Sequence, residues 1–183
     1  MSTATAKPTS VTEVKMASNP DVKALIGAEL ASLIAIRHDL HAHPELNYQE
    51  KRTSELVQRE LSKLAPSGLM FKTGLAKGTG VLAYLPPTEK AGEGKPSIGL
   101  RADMDALPIS ENTGKKYTST TPGVMHACGH DGHVTMLLGA ARVLSKLPHR
   151  SRGVHFVFQP AEESGAGGKA MCDDGVLDGK VLG

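Results

Sequence analysis

Two short runs, residues 79–85 and 153–158, are apolar on both faces, the second broken only by His155. A strand that alternates apolar and polar can face water on one side. A strand that does not alternate must be covered on both. Helical patterns separate these runs, so the chain is expected to form an α/β sheet with helices on each face rather than a sandwich. Residues 97–102 alternate through Ile98, Leu100 and Ala102, and residues 69–72 form a further short strand candidate.

Asn19 and Pro20 read as an N-cap and first helical residue. Ile26, Leu30, Leu33, Ile34 and Leu40 follow at helical spacing, and Pro44 stops the helix by about His43. A second helix is expected from near Asn47, with Glu50 as capping-box partner and Leu56, Val57, Leu61 and Leu64 as its buried stripe. Asp131 is expected to cap a third, with Val134, Leu137, Leu138, Ala141 and Leu144 facing inward. A short helix candidate surrounds residues 169–172. Residues 103–130 lack periodicity, and an irregular stretch of that length is more often functional than idle. Residues 1–18, small and polar, read as a flexible tail, leaving 19–183 as the folded part.

The 183 residues suffice for one domain with a core, or for one domain plus part of another. Lys and Arg number 21 against 19 Asp and Glu, a net charge of +2, which gives no reason to invoke nucleic acid or an anionic membrane. Aromatic residues are 3%, too few for a base-stacking platform. No apolar run approaches the roughly 20 residues of a membrane span, and the first residues, lacking an apolar h-region, are not expected to form a secretory signal. Two cysteines make no disulfide framework, so a reduced, cytoplasmic setting fits.

Chemistry concentrates in Met125-His126-Ala127-Cys128-Gly129-His130-Asp131-Gly132-His133. Cys128 and His130 lie two apart, where side chains of an extended segment share a side, so both can reach one cation. Thiolate and imidazole suit zinc and tolerate other transition metals. His133 is a third ligand or a pocket-lining residue. Glu162 and Glu163 follow the strand at 153–158; being adjacent they cannot point the same way, which suits one carboxylate to metal and its neighbour to the reacting water. Asp103 and Asp105 end the strand at 97–102, at the carboxyl edge where α/β sheets place their sites, and Asp105 is assigned to orient a metal-binding imidazole. His38, His41, His43 and Glu45 form another dense group, better explained by the dipole at a helix C-terminus than by metal. Serine-hydrolase and nucleotide-loop motifs are absent. Metal-assisted hydrolysis is the chemistry these residues support.

Four segments carry a resemblance: residues 37–46 (RHDLHAHPEL), 100–108 (LRADMDALP), 126–133 (HACGHDGH) and 158–163 (FQPAEE). In this order they resemble the metal-dependent amidohydrolases that include hippurate hydrolase, N-acyl-amino-acid hydrolases (aminoacylases) and auxin-conjugate hydrolases, related to di-zinc carboxypeptidases. The resemblance covers about residues 20–183. It implies a zinc-exopeptidase-like catalytic domain with a mixed central sheet flanked by helices, interrupted by a lid and dimerisation domain not found here. It implies two divalent ions, manganese or zinc, with Cys128 (bridging), His130 and Glu163 as ligands. Glu162 would be the general base and then the acid. Asp103, Asp105, Asp131 and His133 would support the ligands or line the pocket. The substrate would be an N-acyl amino acid, with dipeptide cleavage by the same chemistry as the alternative, and the relatives would be homo-oligomers. The resemblance also implies two more histidine ligands further along, so this chain reads as an N-terminal portion. Alone it is expected to bind metal weakly and hydrolyse amides poorly or not at all. Ser164 stands where relatives usually carry glycine.

Overall fold

The computed structural model describes residues 20–178 and the backbone of 181–182. The sequence expectations at residues 1–18 and at Asn19 lie outside it. Helix α1 (Val22–Ala42) leads to α2 (Lys51–Ser62), then β1 (Met70–Leu75), β2 (Gly80–Leu85) and β3 (Ser97–Asp103). After a long irregular segment come α3 (His130–Ser145), β4 (Val154–Gln159), α4 (Gly167–Asp173) and β5 (Val181–Leu182). Among the described residues no helix is long and apolar enough to cross a membrane.

The strands form one mixed sheet in the order β1-β2-β4-β3-β5. β2 runs antiparallel to β1 and β4, while β3 runs parallel to β4 and β5. The β3-α3-β4 connection is a parallel crossover, the unit a helix between two such strands produces. Val81, Ala83, Leu85, Phe156 and Phe158 share one face of the sheet and pack with Val57 and Leu61 of α2 and Val134 and Leu138 of α3. On the other face Val157 and Leu82 meet Met171 of α4 and Val176. β4 is therefore covered on both sides, which is why its sequence does not alternate.

Three helix starts differ from the sequence expectation. The side chain of Asp21 caps α1, accepting from the Lys23 N–H at 2.9 Å, and Pro20 precedes the helix rather than opening it. α2 begins at Lys51 rather than near Asn47. Its first N–H groups are satisfied from outside: the Glu45 carboxylate accepts from Arg52 N–H at 3.0 Å and Thr53 N–H at 2.8 Å, while Glu50 turns into the core. At α3 the cap is Gly129, in the left-handed region at φ +86°, and Asp131 lies within the first turn. The apolar stripe of α1 is also only partly used. Leu33 meets α3 at Gly139, where a Cβ would lie 2.9 Å from Leu33 Cδ1, but Ile26, Leu30 and Ile34 remain exposed.

α1, α2 and α3 are tied by one cation. Arg142 donates to Glu29 at 2.9 Å and Glu60 at 2.7 Å, and Lys63 donates to Glu60. Burial alone would raise the Glu60 carboxyl, but Lys63 and Arg142 outweigh it and hold its pKa below the usual value. Lys146, against burial and with help from Arg142, does the same for Glu29. Replacing Arg142 by Met leaves a buried carboxylate short of its partner, and a loss of about 3 kcal/mol is expected in urea unfolding. Both acids have lowered folded pKa values. Their contribution is thus present above the ordinary glutamate pKa and fades as pH falls through the lowered ones, so the gap between Arg142→Met and parent should shrink in acid.

Candidate metal centre

β3 and β4 end side by side, with Asp103 opposite Gln159 in the parallel register. The residues just beyond them, Asp105 on one chain segment and Glu162 and Glu163 on the other, therefore leave the sheet at the same edge. α3 starts over that edge. Gly129 takes the left-handed turn that brings Cys128, just before the helix, beside His130, its first residue.

Cys128, His130 and Glu163 each offer a ligand atom, all within 4.8 Å of one another. His130 Nε2 stands 3.8 Å from Glu163 Oε1 and 3.9 Å from Glu162 Oε2. Donors on one tetrahedral ion, at about 2.0–2.3 Å from it, lie roughly 3.3–3.8 Å apart. On its other side the His130 Nδ1–H donates to the Asp105 carbonyl at 2.8 Å, with Asp105 Oδ1 at 3.3 Å. That fixes the tautomer and leaves the Nε2 lone pair facing the carboxylates. Asp105 Oδ2 also accepts from the Glu163 N–H at 3.0 Å, so one aspartate holds both an imidazole and a carboxylate segment. Glu163 Oε1 is buried with no hydrogen-bond partner among the described residues.

Asp103, His130 and His133 form a second set of the same kind. Asp103 Oδ2 lies 3.6 Å from His130 Nε2 and 3.5 Å from His133 Nδ1. Both sets use the one free nitrogen of His130, so His130 can serve only one of them at a time. Asp131 is engaged from α1: it accepts from Arg37 Nε at 3.2 Å and lies 2.9 Å from His41 Nδ1. His41 Nε2 is 3.2 Å from Glu111, so its ring sits between two carboxylates. His43 Nδ1 donates to the Asp39 carbonyl, His38 stacks on Tyr117 at 3.8 Å, and Glu45 caps α2. The residues of that histidine-rich group thus have structural partners. His126 is buried with neither ring nitrogen hydrogen-bonded among the described residues, and burial pushes its pKa down to about 4, so it is neutral at pH 7.

The field of the site favours a positive charge. The Glu163 carboxylate, then burial and the charges of Glu162 and Asp103, push the Cys128 thiol up. Burial would lower His130, yet Asp105 and Asp103 raise it above the ordinary imidazole value. Burial would raise Asp105, yet His130 and the N–H groups of Glu163 and Glu162 hold it low. A divalent cation would satisfy the carboxylates, favour the thiolate and replace the imidazole proton, so the donor set and its charges fit a metal ion.

Several partners of the Glu162–Glu163 turn are not identifiable from motif spacing. Arg101 Nε donates to Gln159 Oε1 at 2.7 Å, Asn47 donates to the Ser164 hydroxyl, and the Tyr48 hydroxyl donates to the Gly165 carbonyl. Asn47 and Tyr48 belong to residues 45–50, and Arg101 to the segment 100–108.

Residues 99–182 match Peptidase family M20/M25/M40. The chain is 46% identical over 150 residues to the IAA-amino acid hydrolase ILR1-like 6 of Arabidopsis thaliana, covering 81% of this chain and 30% of that protein. It is 42% identical over 161 residues to an N-acyl-L-amino acid amidohydrolase of Geobacillus stearothermophilus, covering 87% of this chain and 41% of the relative. The crystal structure of the Bacillus subtilis YXEP protein, described as a dinuclear metal binding peptidase from the M20 family, superposes with a TM-score of 0.72 at 37% identity, over 86% of this chain and 41% of that one. The chain is similar to these M20 proteins and shares the mixed α/β fold of the YXEP structure, and it spans about a third of the length of the curated relatives it matches.

Metal titration by competition with a chelating dye tests the donor set. Cys128→Ser and His130→Gln should each lower zinc or manganese affinity sharply. Asp105→Asn, at the residue that holds the His130 ring and the Glu163 N–H, should cost about 10–100-fold.

Proposed function

We propose that this chain carries part of a two-metal centre that hydrolyses the amide bond of N-acyl amino acids, releasing a carboxylic acid and an amino acid. The observation that carries this reading is the pair of adjacent carboxylates, Glu162 and Glu163, both within 4 Å of the one free nitrogen of His130. Glu163, Cys128 and His130 are the residues that would hold the metal. The donors are sulfur, nitrogen and oxygen, a mixture that takes zinc and also accommodates manganese. Bound divalent ions supply Lewis acidity, which polarises the amide carbonyl and acidifies water.

Glu162 does the proton work. Its side chain is 40% exposed, against 22% for Glu163, so it is the one open to substrate. Its carboxylate accepts a proton from the attacking water as the new C–O bond forms. It then delivers that proton to the amide nitrogen as the C–N bond breaks, so the carboxylate is regenerated and the amine leaves neutral. Asp105 keeps the His130 tautomer and the Glu163 backbone fixed throughout. Asp103 and His133 line the same edge.

The relatives support this substrate class by what their names say of them: IAA–amino acid conjugates and N-acyl-L-amino acids for two of them, peptides for the YXEP protein. N-acetyl-, N-benzoyl- and IAA-amino acids should therefore be assayed beside dipeptides, with added zinc or manganese. Preference for the dipeptides would favour the peptidase reading. In a full-length protein that carries the further histidine ligands, Glu162→Gln is expected to lower kcat by about 10²–10⁴-fold while bound metal stays near the parent value. Full turnover by that variant would exclude Glu162 as the base.

A further inference from the structure

Glu50 lies far from any metal-ligating pattern, yet its side chain is fully buried, at 0% exposure, directly behind the Glu162–Glu163 turn. Its carboxylate has three partners. Oε1 accepts from the Ala161 N–H at 2.9 Å and from the Tyr48 N–H at 3.0 Å, and Oε2 accepts from the Thr79 hydroxyl at 2.9 Å. Ala161 immediately precedes Glu162 and sits in the left-handed region at φ +52°. A residue with a Cβ is held there only where its surroundings fix it. The surroundings here are identifiable. Glu50 takes the Ala161 N–H, and the Ala161 carbonyl accepts from the Gly167 N–H at 2.9 Å. Gly165 and Gly167 leave no space for side chains: a Cβ at 165 would lie 2.5 Å from Ala161 Cβ, and one at 167 would lie 1.6 Å from the Pro160 carbonyl oxygen. Asp105 grips the far side at Glu163 N–H.

We infer that Glu50 is a positioning residue for hydrolysis, setting the directions of Glu162 and Glu163 by anchoring the backbone at Ala161. The inference rests on the reading of those two residues as base and ligand. Burying a carboxylate is costly, and burial does raise the Glu50 pKa despite its hydrogen bonds. The role needs an acceptor at Oε1 and not a negative charge. A glutamine supplies that acceptor for both N–H groups, and its amide can donate to Thr79.

The test compares Glu50→Gln, Glu50→Leu and Thr79→Val in the full chain, first by hydrogen exchange of the amides at 159–167. Glu50→Leu should speed exchange at Ala161 and its neighbours by about tenfold or more. Glu50→Gln and Thr79→Val should leave it near the parent rate. Metal affinity and kcat per folded molecule should fall with Glu50→Leu, with KM little changed, and be restored in Glu50→Gln. Parent-like exchange and metal affinity in a folded Glu50→Leu protein would overturn the inference, as would a Glu50→Gln variant as impaired as Glu50→Leu. These outcomes separate from the reading of Glu162. If Glu162→Gln proves fully active while Glu50→Leu still loosens the turn and weakens metal binding, the assigned base is wrong and the anchor stands.

Discussion

Everything at the candidate centre depends on two parallel strands ending level with each other. β3 and β4 pair in register to their last residues, Asp103 against Gln159, so the segments that follow emerge together. A one-residue slip would turn each side chain to the other face and carry Asp105 away from the Glu163 N–H. The register is secured by burial, since Phe156 and Phe158 must both point to the α2–α3 side and Val157 to α4. The hydrophobic core thus fixes the spacing of polar groups that never enter it.

The second constraint is electrostatic. Asp103, Asp105, Glu162 and Glu163 converge on one imidazole and one thiol, an arrangement that would repel itself if all were ionised without compensation. The shifts along the site run in the direction of accepting positive charge: thiol up, imidazole up. The fold holds these groups close with the contacts of Asp105 to the His130 ring and the Glu163 N–H, and with an ion pair between Asp103 and the half-exposed Arg101. Such a site trades local stability for affinity toward a divalent ion.

Much of this was legible in the sequence. β2 and β4 were visible because burial on both faces suppresses alternation, and the chemistry of 126–133 and 159–163 because ligand-type residues cluster there. The helix starts were less legible. Asn47 and Glu50 have the spacing of a capping box, but the cap of α2 comes from Glu45, whose reach depends on how the loop folds back. Asp131 looks like a cap, yet Gly129 has the backbone freedom that the turn requires. The α1 stripe was readable as helical, but periodicity does not say whether a face finds a partner, and Ile26, Leu30 and Ile34 stay exposed. Glu50 was the least legible residue, because its partner Ala161 is 111 positions away.

Gly165 and Gly167 extend that last point. Both are closed to any side chain, by contacts of 2.5 Å and 1.6 Å from where a Cβ would sit, and neither carries a functional group. A mutational scan scored only by activity would therefore mark them alongside Glu162, as if they took part in chemistry. Their intolerance would be that of a mould rather than a reagent. Substituting a larger residue at either would alter the outline into which Glu162 and Glu163 are cast, with every reactive atom still present.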